Sequence, residues 1–242
     1  MKSKKLNIMG IIGVRSGSKG VKDKNITNLA GKPLVGWIID KAKSSKYINK
    51  LVVSTDSQEY KEIVESYGAE VPYLRPKRLS EDFSPELDYI KHMIDWLYKK
   101  ESYTPDIIVR MMATTPLQTT HDIDSSIQKL LDNQSSDSVV VVAEARQHPL
   151  KALKIIQDKN NESKLVTYFS ESGREVTPIA RQNYEKAYFR SNIIACRVET
   201  IKNTNSLTGD NVFYHIIDQH RGIDIDNVVD FKIAEHLINL QE

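Results

Sequence analysis

Four of the thirteen residues in GVRSGSKGVKDKN (13–25) are basic and three are glycine. That composition suits an anion. Gly17 and Gly20 let backbone N–H groups come close, Arg15 can grip two phosphate oxygens at once, and Lys19 adds a point charge. The loop is neither a Walker A sequence nor a G-x-G-x-x-G fingerprint, and taken alone it also fits a solvated basic turn. A second segment, GIDID (222–226), places Asp224 and Asp226 two residues apart. On a strand they share a face, and two adjacent carboxylates beside a phosphate site suit a divalent cation. The competing reading makes Asp226 the N-cap of the last helix and leaves Asp224 solvated. Arg75, Arg181, Arg190 and Lys151 are further basic candidates, each equally compatible with an ordinary surface role. Histidines in metal-ligand spacing, a G-x-S-x-G elbow and a Ser-His-Asp order are all missing.

The elements that must position these residues alternate. Apolar runs at 6–14, 50–56, 106–113 and 137–145 read as buried strands, separated by amphipathic stretches at 33–45, 57–68 and 84–100. The first of these helices is entered through Pro33, the second stops at Gly68, and the third has Ser84 as N-cap with Pro85 at its first position. Thr119 and Asp122 match a capping box. This alternation implies an α/β chain with a mostly parallel sheet and helices on both sides. From about Arg146 to Arg190 the rhythm breaks into polar sequence with turn signals at DKNNES and ESG, an extended arm inserted into the domain. Strands at 192–199 and 212–218 and a helix at 227–240 close the chain.

Composition narrows the function. The 242 residues carry 34 basic and 32 acidic side chains, a net charge of +2, so no general field draws the protein to nucleic acid or anionic membrane. Cys196 is the single cysteine, mid-strand, better placed as a small core residue than as a nucleophile. The apolar stretch near the N-terminus is short and runs into Arg15, so it reads as a strand rather than a signal peptide. No run reaches the roughly 18 apolar residues of a membrane span. A cytoplasmic protein is expected.

Taken in order, RSGSKGVKDKN, LVVSTDS, YGAEVPYLRP, TTPLQTTHDID, DSVVVVAEARQHPLKAL, ARQ, FRSN and GIDIDNVVDF resemble the acylneuraminate cytidylyltransferases, or CMP-sialic acid synthetases, along almost the whole chain. The resemblance implies a three-layer αβα Rossmann-like nucleotidyltransferase fold, with a nucleotide-binding domain of 1–145 and 191–242. Residues 146–190 would be an inserted arm for homodimerisation and sugar-acid contacts. The implied reaction joins CMP from CTP to the 2-hydroxyl of a sialic-acid-like 2-keto sugar acid, releasing pyrophosphate, with Mg²⁺ or Mn²⁺. By position, Arg15, Ser18, Lys19, Lys24 and Asn25 would line the nucleotide loop and Arg75 the cytosine or ribose end. Asp224 and Asp226 would hold the metal. Arg15, Lys24 and the two aspartates would carry the catalysis. Lys151, Arg181, Arg190 and Asn192 would face the sugar acid.

The family segment L-Q-P-T-S-P-L-R here reads MMATTPLQ, with Met112 in the place of a glutamine that faces the acid, and R-P-N-G reads RSNI. A thioether lacks an amide's paired donor and acceptor, which favours a deoxy, acetamido-decorated acid such as legionaminic or pseudaminic acid. Two other classes fit single features: a glycosyltransferase using Asp224-Ile225-Asp226 as a D-x-D motif, and a non-catalytic nucleotide-binding homologue.

Overall fold

Ile8–Gly13 forms the first strand, β1, and its alternation buries both faces: Met9 and Ile11 point to one core cluster, Ile8 and Ile12 to the other. The structure, a computed structural model, describes residues 5–17, 20–169 and 184–240. After β1 come a small hairpin of β2 (Asn28–Leu29) and β3 (Lys32–Pro33), then α1 (Leu34–Lys43), β4 (Lys50–Ser54), α2 (Gln58–Ser66), α3 (Glu86–Glu101), β5 (Ile107–Met111) and α4 (Thr120–Asp132). The chain continues through β6 (Ser138–Glu144), an outlying hairpin of β7 (Leu153–Gln157) and β8 (Ser163–Thr167), β9 (Tyr188–Arg197), α5 (Val198–Thr204), β10 (Val212–Ile217) and α6 (Val228–Asn239).

The main sheet has the order β10-β6-β9-β5-β1-β4. Three of its ladders are parallel; β9 runs antiparallel to both β5 and β6. Helices α1, α2, α4 and α6 cover one face through residues such as Ile38, Val64, Ile127 and Ile238, and α3 with α5 covers the other through Ile90, Met93, Leu97 and Ile201. This is the three-layer αβα arrangement expected of the sequence, a mixed sheet dominated by parallel pairs.

Local chemistry explains most element ends. Ser57 caps α2, accepting from Tyr60 N, and Gly68 beyond its last turn adopts φ +79°. Thr119 and Asp122 form the capping box of α4. Three expectations need correction. Pro85, not Ser84, is the N-cap of α3, while Ser84 Oγ donates to Arg78 O (2.9 Å). The strand expected over 192–199 begins earlier, at Tyr188, and its last two residues open α5. GIDID belongs to no ladder: Gly222 ends a 3-10 turn, and the 223–226 segment is held by the β5–α4 connection rather than by a strand. The DKNNES turn is the β7–β8 turn, with Asn161 at φ +61° and the Asp158 carboxylate accepting from Asn160 N and Glu162 N. ESG lies outside the described residues.

Candidate active site

The basic loop leaves the carboxyl end of β1, where open α/β sheets bind ligands. Its start is tied down: Val14 N donates to Ser54 O (2.9 Å), and Ser16 donates from N and Oγ to the two Asp56 oxygens (2.8 and 3.1 Å). Gly17 takes φ +73°, a left-handed conformation that favours glycine. Asp23, at φ +50°, accepts from Tyr60 OH (3.0 Å) and leads into a one-turn 3-10 helix, Lys24–Ile26. That turn aims Lys24 across the cleft, where its Nζ donates to Ile225 O and lies 3.8 Å from Asp226 Oδ1. Asn25 is buried, and its Nδ2 donates to Arg15 O (3.2 Å). The Arg15 guanidinium pairs with Asp82 (2.8 Å). Ser18 and Lys19 lie outside the described residues.

The opposite wall is the 223–226 segment. Ile225 is fully buried and its N–H donates to Thr114 O (2.8 Å), so Asp224 and Asp226 on either side of it point outward. Asn227, not Asp226, caps α6, accepting from Val229 N and Asp230 N; Asp230 in turn accepts from Asp226 N (3.0 Å). The Asp226 carboxylate is therefore not used as a cap, and its side chain is 80% exposed. Asp224 Oδ2 accepts from Asn192 Nδ2 (2.9 Å). Wall and loop touch at Gly20, where an added Cβ would lie 2.3 Å from Asp226 O.

Arg15, Gly20, Lys24, Asn25, Met112, Thr114 and Asp226 line one cleft. Lys151 and Arg190 line a neighbouring one with Arg146, His148, Phe189 and Gly222. The chain from Gly222 to Asp226 runs from the second cleft to the first, with Asp224 midway. Met112 lies in the nucleotide-loop cleft rather than beside Lys151. Arg75 sits behind the loop, 7% exposed: Nε donates to Ser54 Oγ (2.9 Å), Nη2 to Ser54 O (2.5 Å), and the guanidinium stacks 4.1 Å over Tyr89. Burial pushes its pKa below the ordinary arginine value. Arg181 is outside the described residues.

Among the described residues no cluster of three or more acidic, histidine or cysteine side chains forms a ready-made metal site. Two outward carboxylates beside a basic loop nonetheless match Mg²⁺, which takes one or two carboxylates and completes its shell with phosphate oxygens and water. The donor set fits.

Several supporting residues escaped sequence reasoning. Asp56 follows β4, the parallel neighbour of β1, at the same carboxyl end of the sheet as the basic loop, and could have been found from that position. Lys41 Nζ donates to Pro116 O and pins the turn after β5; burial lowers its pKa to about 8. Gln118, fully buried, donates to Ser191 O and to Ser191 Oγ (2.9 Å) and accepts from Thr115 (2.9 Å). Two of the departures from the family pattern, Gln118 and Ser191, thus bond to each other.

A profile of the family described as cytidylyltransferase matches residues 9–219. The chain is 32% identical over 97% of its length, and 97% of the relative's, to "post-translational flagellin modification protein B" of Campylobacter coli. It is 30% identical to "CMP-N,N'-diacetyllegionaminic acid synthase" of Campylobacter jejuni, covering 97% and 96% of the two chains. In fold it is similar to a CMP:2-keto-3-deoxy-manno-octonic acid synthetase complexed with CTP, with a TM-score of 0.70 at 14% identity over 98% and 100% of the chains.

Proposed function

This chain belongs to the cytidylyltransferase family, and from that premise we propose that its paired clefts join CMP, taken from CTP, to the anomeric 2-hydroxyl of a sialic-acid-like 2-keto sugar acid. Pyrophosphate leaves. The observation that carries this reading is the meeting of Arg15, Lys24 and Asn25 with the outward carboxylate of Asp226 around one cleft.

In such a transfer the hydroxyl oxygen attacks the α-phosphorus in line, and the bond to the pyrophosphate oxygen breaks as negative charge builds there. The chain's share is positioning and charge neutralisation. Arg15 and Lys24 face the growing charge from the loop side. Lys24 is held rigidly by Ile225 O, so little reorganisation accompanies the reaction. Asp224 and Asp226 are the residues that would hold Mg²⁺ or Mn²⁺, whose chemistry there is neutralisation of phosphate charge and acidification of the attacking hydroxyl. Lys151 and Arg190, in a cleft that also contains Ala143, Ala152, Pro149 and Phe189, offer cations for a carboxylate and apolar surface for an acyl group. That mixture of cations and apolar surface supports a deoxy, acetamido-decorated acid, as does the legionaminic acid in the name of one relative.

The arm reading, 146–190, is supported by exposed apolar side chains among the described residues: Ile155 and Leu165 on the β7–β8 hairpin are 73% and 64% exposed. We assign them to a homodimer contact. No helix of the described residues is long and apolar enough to cross a membrane, and we place the reaction in the cytoplasm, where nucleoside triphosphates are held.

The test is pyrophosphate release with CTP and Mg²⁺ against N-acetylneuraminate, legionaminate, pseudaminate, Kdn and Kdo. Turnover with one nine-carbon acid, lost in Asp224→Ala and Arg15→Ala, is the expected result. Best turnover with Kdo, or turnover indifferent to both substitutions, would overturn it.

A further inference from the structure

Arg110 is a charged residue in the middle of a strand whose neighbours are all apolar. It is 7% exposed, on the face of β5 that packs against α3. A buried guanidinium is costly unless paired, so its presence calls for a reason. Glu86 Oε1 lies 3.0 Å from Arg110 Nε but off the line of that N–H, so the attraction is coulombic rather than a hydrogen bond. The directed bond is elsewhere: Arg110 Nη1 donates to Asn192 O (3.2 Å).

Asn192 is the unusual residue of β9. Its φ is +57° in the midst of a strand, and the β6–β9 register breaks around it: Val140 pairs with Ile194 and Val142 with Arg190. β9 thus bulges at 191–193, a device that re-aims a side chain at the cost of local strain. The re-aimed group is the Asn192 amide, which donates to Asp224 Oδ2 (2.9 Å).

We propose that Arg110 is a positioning residue for the metal carboxylates: by holding the carbonyl of Asn192 it fixes the β9 bulge, which orients the Asn192 amide and, through it, Asp224. This rests on the reading of Asp224 as a metal ligand. A group bonded directly to a metal ligand, as Asn192 is to Asp224, commonly alters metal affinity 10- to 100-fold, and Arg110 acts through that group.

The test compares CTP binding, without any sugar acid, in EDTA and in Mn²⁺. In the wild type Mn²⁺ tightens binding by some factor. Arg110→Met is expected to leave CTP affinity in EDTA within twofold of wild type and to cut that factor at least tenfold; in turnover it lowers kcat more than it raises the KM for CTP. Arg110→Lys, which keeps a charge and a donor, recovers most of the factor. Because Arg110→Met strands Glu86 and can fail to fold, Glu86→Gln/Arg110→Met, which neutralises both, is measured alongside it with the same expectation. A factor kept in the folded variant, or an equal loss of CTP affinity in EDTA, overturns the proposal. Asp224→Ala separates the two layers: if it keeps the factor, the metal reading fails; if it abolishes the factor while the Arg110 variants keep it, only the role of Arg110 fails.

Discussion

Gly20→Ala tests whether the contact between the basic loop and the 223–226 segment sets the geometry of the site. The added Cβ would lie 2.3 Å from Asp226 O, against an ordinary carbon–oxygen contact of about 3.3 Å. The obstacle is backbone, and it is anchored: Ile225 N bonds Thr114 O (2.8 Å) and Asp226 N bonds Asp230 (3.0 Å). The loop must therefore retreat by about 1 Å, carrying Lys24 away from Ile225 O. Misplacement on that scale costs about 10²-fold in rate, or about 2.7 kcal/mol of transition-state stabilisation. A continuous pyrophosphate-release assay should show kcat/KM down about a hundredfold, with the unfolding midpoint moved by less than about 4 °C. Gly17→Ala is the control. Nothing lies within 4 Å of its added Cβ, but φ is +73°, so it pays only local strain of about 1 kcal/mol. If Gly20→Ala is no worse than Gly17→Ala, the contact does not set the geometry and the reasoning is refuted.

Three further outcomes follow from the surroundings of the site. Burial lowers the pKa of Lys41 to about 8, below its unfolded value near 10.4, so the unfolded chain binds more protons between those values and stability rises with pH there. Relative to Lys41→Met, wild-type unfolding free energy from urea titrations should gain about 2 kcal/mol between pH 8 and 10; a flat difference contradicts the assignment. Gln118→Leu leaves Ser191 O and Thr115 Oγ1 without their buried partner and should cost about 2 kcal/mol in the same titrations; a loss under 0.5 kcal/mol, on the order of a neutral surface change, would speak against the interlock. The Cys196 thiol, fully buried and pushed up to about 12 by desolvation, should resist a thiol reagent until the chain unfolds. Fast labelling of native protein would contradict its placement in the core.

The parts of the fold written in local patterns were legible. Continuous apolar runs marked β1, β4 and β5, and the Thr119–Asp122 spacing marked the start of α4, because both signals depend on residues close in sequence. The reversal of β9 was not legible, since an apolar run such as NIIACRV carries no direction. GIDID read as a strand because Ile223 and Ile225 are buried and the aspartates are not, but that alternation is imposed by Thr114 O rather than by a ladder. Asn227 displaced Asp226 as the cap of α6 because Asp230 stands three residues after it and completes a capping box. The loop and the two aspartates of the candidate site were picked out by residue type and spacing. Arg75 turned inward because Ser54 and Tyr89 offer it more than solvent does. Arg110 could not be read at all: its partners, Glu86 and Asn192, are 24 and 82 residues away, and only the folded chain brings them together.

The central reaction is a cytidylyl transfer, CMP passing from CTP to a sugar-acid hydroxyl. The most direct measurement is a phosphorus NMR spectrum of CTP, Mg²⁺ and the accepted acid followed during turnover. The account predicts that the three CTP resonances give way to pyrophosphate and a single phosphodiester joined to the acid, in equal amounts, and only when the acid is present. Appearance of CDP with inorganic phosphate, or pyrophosphate with free CMP and no phosphodiester from the outset, would contradict it.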